Sequence, residues 1–395
     1  MRQGHRSFWQ TPHLSLFLLA ALSAIMMPSI WLVPHGIGPE PVAWHLHELM
    51  FGMGGAAIGG YVLTALRSWT QQEPVAPRIT VAMCTLWILA RLSFAWMEQL
   101  PFVVLATGTQ AYLAALAALL SWKIITLHIW PKAWLVPVVA GLIMSDLLYL
   151  ARIGGFGVAS AGAMEVVLTF ALLICLVGGR AVPAFTRSWL ERQSSPRFVY
   201  DSSVLSVLSA VALVCGGLLT VVDRLDAAGY CLMLSGALLL ARMIGWQTWS
   251  ACRYPALFLL HLAWIWLPTG LLLVGLAIIR PEWMPLPAAI HALTMGAMGT
   301  MILAIMARSV MARRGDMIVL DKRVALAFVL VWLSALFRVL APFAPSGLPD
   351  PTRAVAILWM MGWSLFLWSY LVGLSHSVPR PILSARLSRR VQGRG

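Results

Sequence analysis

Charge is what this chain has least of. Of its 395 residues only 11% are Asp, Glu, Lys or Arg, and 14 of them are acidic. A soluble domain carries about 25% charged residues, so soluble cores of this total length could not be coated. Paired cysteines are also lacking. Cys84, Cys175, Cys215, Cys231 and Cys252 lie in or at the end of apolar stretches, and none forms a Cys-x-x-Cys pair. That excludes zinc ribbons and covalent c-type haem attachment, and it reads the thiols as small buried hydrophobes. The string Gly178-Gly179-Arg180-Ala181-Val182-Pro183-Ala184-Phe185-Thr186 has no Gly-Lys-Ser/Thr, so no nucleotide phosphate loop is expected. Finger motifs and basic–aromatic alternation are missing as well. The net charge of +14 therefore does not point to nucleic acid.

What is present is apolar length, with 60% of the residues hydrophobic. A bilayer core of about 30 Å needs roughly 20 apolar residues in a helix. Twelve such runs start near residues 14, 45, 79, 101, 134, 158, 201, 226, 256, 286, 323 and 353. The breaks between them carry proline, glycine and charge, and none is long enough to be a domain. The sequence thus predicts an all-α polytopic membrane protein, one twelve-helix domain over 1–395, with 376–395 as a basic tail. The first run follows Arg2 and Arg6 like a signal peptide, but eleven more spans follow, so it is read as an uncleaved first helix.

Lys and Arg orient the chain. With the N-terminus inside, the inner segments hold 21 of the 28 basic residues, and the outer loops hold only Arg152, Arg224, Arg280 and Arg353. Arg91, Arg242 and Arg338 fall within spans. Both termini are therefore expected in the cytoplasm, with the helices in a bacterium-like inner membrane.

Ionisable groups at bilayer depth cost roughly 3 kcal/mol and are functional suspects. On the expected topology, His45, His47, Glu48, Arg91, Asp146, Glu165, His291 and Arg338 all fall in the outer leaflet. The plain reading of Arg91, Asp146, Glu165 and Arg338 is mutual pairing that glues helices. The histidines fit that less well, because neutral imidazole is a good metal ligand. His45 and His47 are about 200° apart on a helix, so both would not face one metal. Glu48 adjoins both and would fix a ring's tautomer. His291, Met295 and Met298 recur at helical spacing. Two histidines from different helices at similar depth are the ligand set of a six-coordinate haem. His261, nearer the inner face, would hold a second metal or bond a backbone group. His13, His376, His35, His128 and His5 lie at helix ends, in loops or in the tail and carry no such expectation.

Helices 2, 6 and 10 also look like weak repeats. Each has a polar residue near its outer end and closes on an arginine: Arg67, Arg180 and Arg308. His47 and His291 share His-x4-Gly, to Gly52 and Gly296. Repeat-built membrane proteins place their sites where repeats meet.

Four strings resemble motifs of the NnrS family. They are Trp44-His45-Leu46-His47-Glu48-Leu49-Met50-Phe51-Gly52 continuing to Gly60-Tyr61-Val62-Leu63-Thr64-Ala65, then Gly179 to Thr186, Leu260-His261-Leu262-Ala263, and His291 to Gly299. The resemblance covers nearly the whole chain in order. One departure is Ser68-Trp69-Thr70 where the family tends to have Asn-Trp-Thr. The resemblance implies a b-type haem, with copper as a further expectation, and a role in nitric-oxide tolerance or denitrification. Helix number and depth also resemble subunit I of haem–copper oxidases, as an analogy of arrangement. Helices 6 and 7 have no histidine for the three-histidine copper site of those enzymes, so oxygen reduction is not expected.

The first reading is then a haem protein that handles nitric oxide or its metal-nitrosyl products. His291 and one of His45 or His47 are the axial ligands, with the shared His-x4-Gly favouring His47. Glu48 supports them, Arg91 or Arg338 grips haem propionates, and Asp146 and Glu165 carry protons or bind metal. The alternatives are a proton-coupled transporter without haem and a scaffold for other membrane enzymes.

Overall fold

The computed structural model describes residues 8–33, 40–156, 162–315, 317–345 and 351–374. His5, His35, His376 and the basic tail lie outside them. Among the described residues twelve helices are long and apolar enough to cross a membrane. They are α1 (Pro12–Leu32), α2 (Pro41–Thr70), α3 (Pro77–Ala95), α4 (Phe102–Thr126), α5 (Trp130–Ile153) and α6 (Ala163–Arg192), followed by α7 (Ser203–Val221), α8 (Leu225–Ile244), α9 (Pro255–Ile279), α10 (Leu286–Ala307), α11 (Lys322–Phe343) and α12 (Thr352–Leu374). Local chemistry sets their starts. Pro12, Pro41, Pro77 and Pro255 open helices, where the missing N–H would have had no partner anyway. Ser202 and Asp321 accept backbone N–H bonds at the starts of α7 and α11, the usual N-cap arrangement.

The largest departure from the sequence reading is α6. It starts at Ala163 rather than near 158, and it does not end at the Gly178–Thr186 string. It continues to Arg192, 30 residues in all, with Pro183 inside. Proline has no N–H, so the carbonyl four residues earlier, that of Gly179, loses its helical donor. Arg242 of α8 replaces it, donating from Nη2 to Gly179 O at 2.6 Å. The absence of a side chain at Gly179 permits this, since a Cβ there would lie 2.6 Å from Arg242 Nη1. Asp201 holds the guanidinium in place by accepting from Nε at 2.8 Å and from Nη2 at 3.1 Å.

Successive helices from α3 to α10 pack side by side, α11 lies against α12, and α12 returns to α1. Three helices form the interior. Burial reaches 89% of the apolar window of α2 and 67% in each of α6 and α10, against 28–56% in the rest. α6 touches both of the others. These are the three helices whose polar residues recur in the sequence. The outward faces carry exposed Val103, Ile125, Leu218, Leu234 and Trp368, a surface suited to lipid rather than water.

Both α2 and α10 change winding just after a histidine. His47 precedes a π-helical stretch, Glu48–Gly54, and His291 precedes another, Ala292–Gly299. Such wide turns usually accompany functional sites. Side chains serve carbonyls along them: Trp87 Nε1 donates to Gly52 O at 3.0 Å, and Thr300 Oγ1 donates to Gly296 O. The wide winding means that Met295 and Met298 do not continue the α-helical stripe from His291. A short antiparallel hairpin, β1 (Arg313–Arg314) with β2 (Met317–Ile318), follows α10.

Candidate functional site

Two polar clusters lie side by side at one end of the interior helices. The first joins α2 to α10. The His45 and His291 rings face each other with centroids 6.2 Å apart and planes 34° apart. Both rings are half-buried. His291 Nδ1 donates to the carbonyl of Pro287 at 2.5 Å. That fixes the tautomer and leaves the Nε2 lone pair available to a ligand. His45 is set differently, with Nδ1 accepting the indole N–H of Trp31 at 3.1 Å. Trp31 belongs to the tight 3₁₀ end of α1, Met27–Leu32. Glu40 accepts from Val42 N and Ala43 N and so caps the turn that presents His45. Arg338 of α11 lies within electrostatic reach of both rings.

The second cluster ties α2 to α3, α4 and α5. His47 is fully buried, with Nδ1 2.9 Å from Glu48 Oε1 and Nε2 3.3 Å from Asp146 Oδ1. The latter contact is close but not aligned as a hydrogen bond. Arg91 Nη1 donates to the same Glu48 oxygen at 2.6 Å. Gln110 Nε2 donates to Asp146 Oδ2, and Phe94 stacks on the imidazole at 3.6 Å. Four helices thus meet on one buried network, as the mutual-pairing reading of Arg91 and Asp146 expects.

The i, i+2 spacing therefore sends the two helix-2 histidines to different partners. His45, not His47, faces α10. Glu48 supports His47 and makes no bond to His45, and Arg91 is engaged by Glu48. Glu165 stands apart from both clusters. It lies in the first turn of α6, where it accepts from Gly162 N and from Thr220 Oγ1, the work of a helix cap. His261 has both ring nitrogens matched to hydroxyls, Nε2 with Thr186 at 2.9 Å and Nδ1 with Thr248 at 3.0 Å. Arg180 lies over Trp134 at 4.4 Å, and His13 Nδ1 pairs with Thr64 at 3.2 Å. Among the described residues no group of three His, Cys, Asp or Glu side chains is placed to hold a metal ion.

Sequence reasoning missed three participants. Trp31 sits fourteen residues before its partner, a separation with no periodicity to betray it. Gln110 is neutral and so raised no suspicion. Asp201 precedes α7 in what reads as a loop. Only Pro183, which leaves a carbonyl orphaned, signalled that something must reach into α6.

These features define a class, a polytopic membrane protein with two polar clusters built around its central helix α2, one shared with α10 and one with α3, α4 and α5. The chain belongs to the NnrS family: the family model described as NnrS protein matches residues 7–377. Membership makes it a nitric-oxide-related membrane protein. No curated protein matches the chain.

Proposed function

We propose that this protein binds a b-type haem between α2 and α10 in the inner membrane and engages nitric oxide or a metal-nitrosyl species there. The facing pair His45 and His291 carries the reading. Two imidazoles sharing one metal through bonds of about 2.0–2.1 Å have ring centres about 6 Å apart, and these are 6.2 Å apart. Bound haem iron would supply the centre at which nitric oxide is held, once one of the two histidines gives up its bond to make room. The chain's residues do the rest. Pro287 O raises the basicity of His291 by taking its Nδ1 proton in a hydrogen bond. For His45 to ligate through Nε2, its proton must move to Nδ1 and the Trp31 indole must give up its bond. Arg338, within electrostatic reach of both rings, is the cation that would grip a propionate. The His47 network ties α2 to α3, α4 and α5 and serves stability rather than the haem. Copper lacks a matching three-residue group among the described residues, so the proposal assigns haem alone.

An absorbance spectrum of protein expressed with ample haem tests this. We expect a Soret band that shifts with nitric oxide, and its loss in His291→Ala. A colourless preparation would favour the transporter reading, and an unchanged spectrum in His291→Ala would sink the ligand assignment.

A further inference from the structure

Far from the histidine pair, at the arginine-rich end, α10 closes on a buried cation with no counter-charge among the described residues. Arg308 keeps 7% of its surface, yet its Nε and Nη1 have no hydrogen-bond partner. The carboxylates of Glu48, Asp146 and Asp201 pair with His47, Arg91 and Arg242, and none of these pairs reaches Arg308. Two further arginines are near. Arg192 at the end of α6 and Arg313 of β1 lie within electrostatic reach. One face of the guanidinium rests on the Phe185 ring at 4.1 Å. The Tyr254 hydroxyl, also near, is donated to by Ile318 N at 2.7 Å and so anchors the hairpin beside the cluster.

Burying an uncompensated guanidinium costs several kcal/mol. The α10 C-terminus offers partial negative charge, but its carbonyls do not bond the two idle nitrogens. A carboxylate has two coplanar oxygens, enough for one arginine fork. A phosphate group has three or more oxygens pointing in different directions, enough for converging guanidiniums. We infer that Arg308, with Arg192 and Arg313, forms a phosphate-binding site at the arginine-rich end of α6 and α10. The phosphate belongs either to an anionic lipid headgroup or to a free phosphate from solution.

The test uses the full chain in non-ionic detergent, with unfolding followed by tryptophan fluorescence. One arm adds inorganic phosphate against chloride at equal ionic strength. The other adds phosphatidylglycerol against phosphatidylcholine in mixed micelles. The expected result is a saturable rise of the unfolding temperature in at least one arm, as for any ligand that binds only the folded state. A rise with inorganic phosphate identifies a soluble source, and a rise confined to phosphatidylglycerol identifies lipid. Arg308→Gln should weaken the effective affinity about 10-fold or more. If that variant does not purify, Arg308→Lys keeps the charge, loses the fork and should still weaken it. Asp316 lies outside the described residues. Were it the counter-charge of Arg308, phosphate would have no effect on the wild type. Absence of a rise in both arms, or an undiminished rise in the Arg308 variant, overturns the site.

Discussion

His45 and His47 show how much a two-residue offset decides. One ring looks across to α10 and the other is locked between two carboxylates. Trp31 is the residue that separates two roles for His45. If His45 ligates, Trp31→Phe removes a competitor for Nδ1, and the six-coordinate fraction in the haem spectrum should hold or rise. If His45 only donates Nε2–H to a bound ligand, the same change should loosen the nitrosyl form without altering the ligand-free spectrum. Glu48 belongs to the other cluster. Glu48→Ala strands Arg91 and unpairs His47 inside the protein, so stability should fall by about 3–5 kcal/mol, the usual cost of breaking a buried pair. Thermal unfolding reads this. Haem affinity per folded molecule should change little, because Glu48 does not touch His45; a selective loss of haem from well-folded protein would reverse that assignment. The i, i+2 arithmetic made the divergence of the two histidines legible, but not which one faced α10. The rotation of a helix about its axis is set by packing. His-x4-Gly suggested His47 because it matches His291 in position, and both indeed directly precede a π-helical stretch. Matching position along two helices is not the same as facing across them.

At the scale of elements, the wide turns in α2 and α10 depend on bare backbone. A Cβ at Gly54 would lie 2.6 Å from the Phe170 ring, and one at Gly296 would lie 2.5 Å from Trp266. Overpacking of this kind typically costs about 1–3 kcal/mol. Gly54→Ala and Gly296→Ala should therefore lower the unfolding temperature. Gly217→Ala is the control. Its Cβ would meet only Leu168, at 3.8 Å, and a helical Gly→Ala change in open space gains about 0.5–1 kcal/mol. Equal destabilisation by all three would mean that the wide turns carry no special packing demand. Helix existence was legible because hydrophobic runs of spanning length have few other solutions. The winding change was not, since i→i+5 hydrogen bonding leaves no signature beyond glycine. The end of α6 was misread for a related reason. Gly-Gly followed by proline signals a stop only when nothing nearby can serve the freed carbonyl, and Arg242 comes from a helix that is distant in sequence.

For the whole molecule, the asymmetry of basic residues sets orientation. With 21 of 28 on one side, and about 1 kcal/mol gained per Lys or Arg beside an anionic leaflet, the hairpin end should face the cytoplasm. A reporter inserted after Gly315 should read cytoplasmic, and one in the Arg280–Met284 turn should read external. The reverse result would exchange the two faces and put the histidine pair on the cytoplasmic side.

The Arg242 bond to Gly179 has a mechanical consequence. Pro183 leaves a carbonyl that only an outside donor can serve, and the donor belongs to α8. Sliding α6 along α8 by even one residue would carry that carbonyl away from the guanidinium into apolar surroundings, where an unmet oxygen is costly. The proline thus works as a latch. Shear of α6 past α8 would strand that oxygen, so the bond resists sliding along this seam.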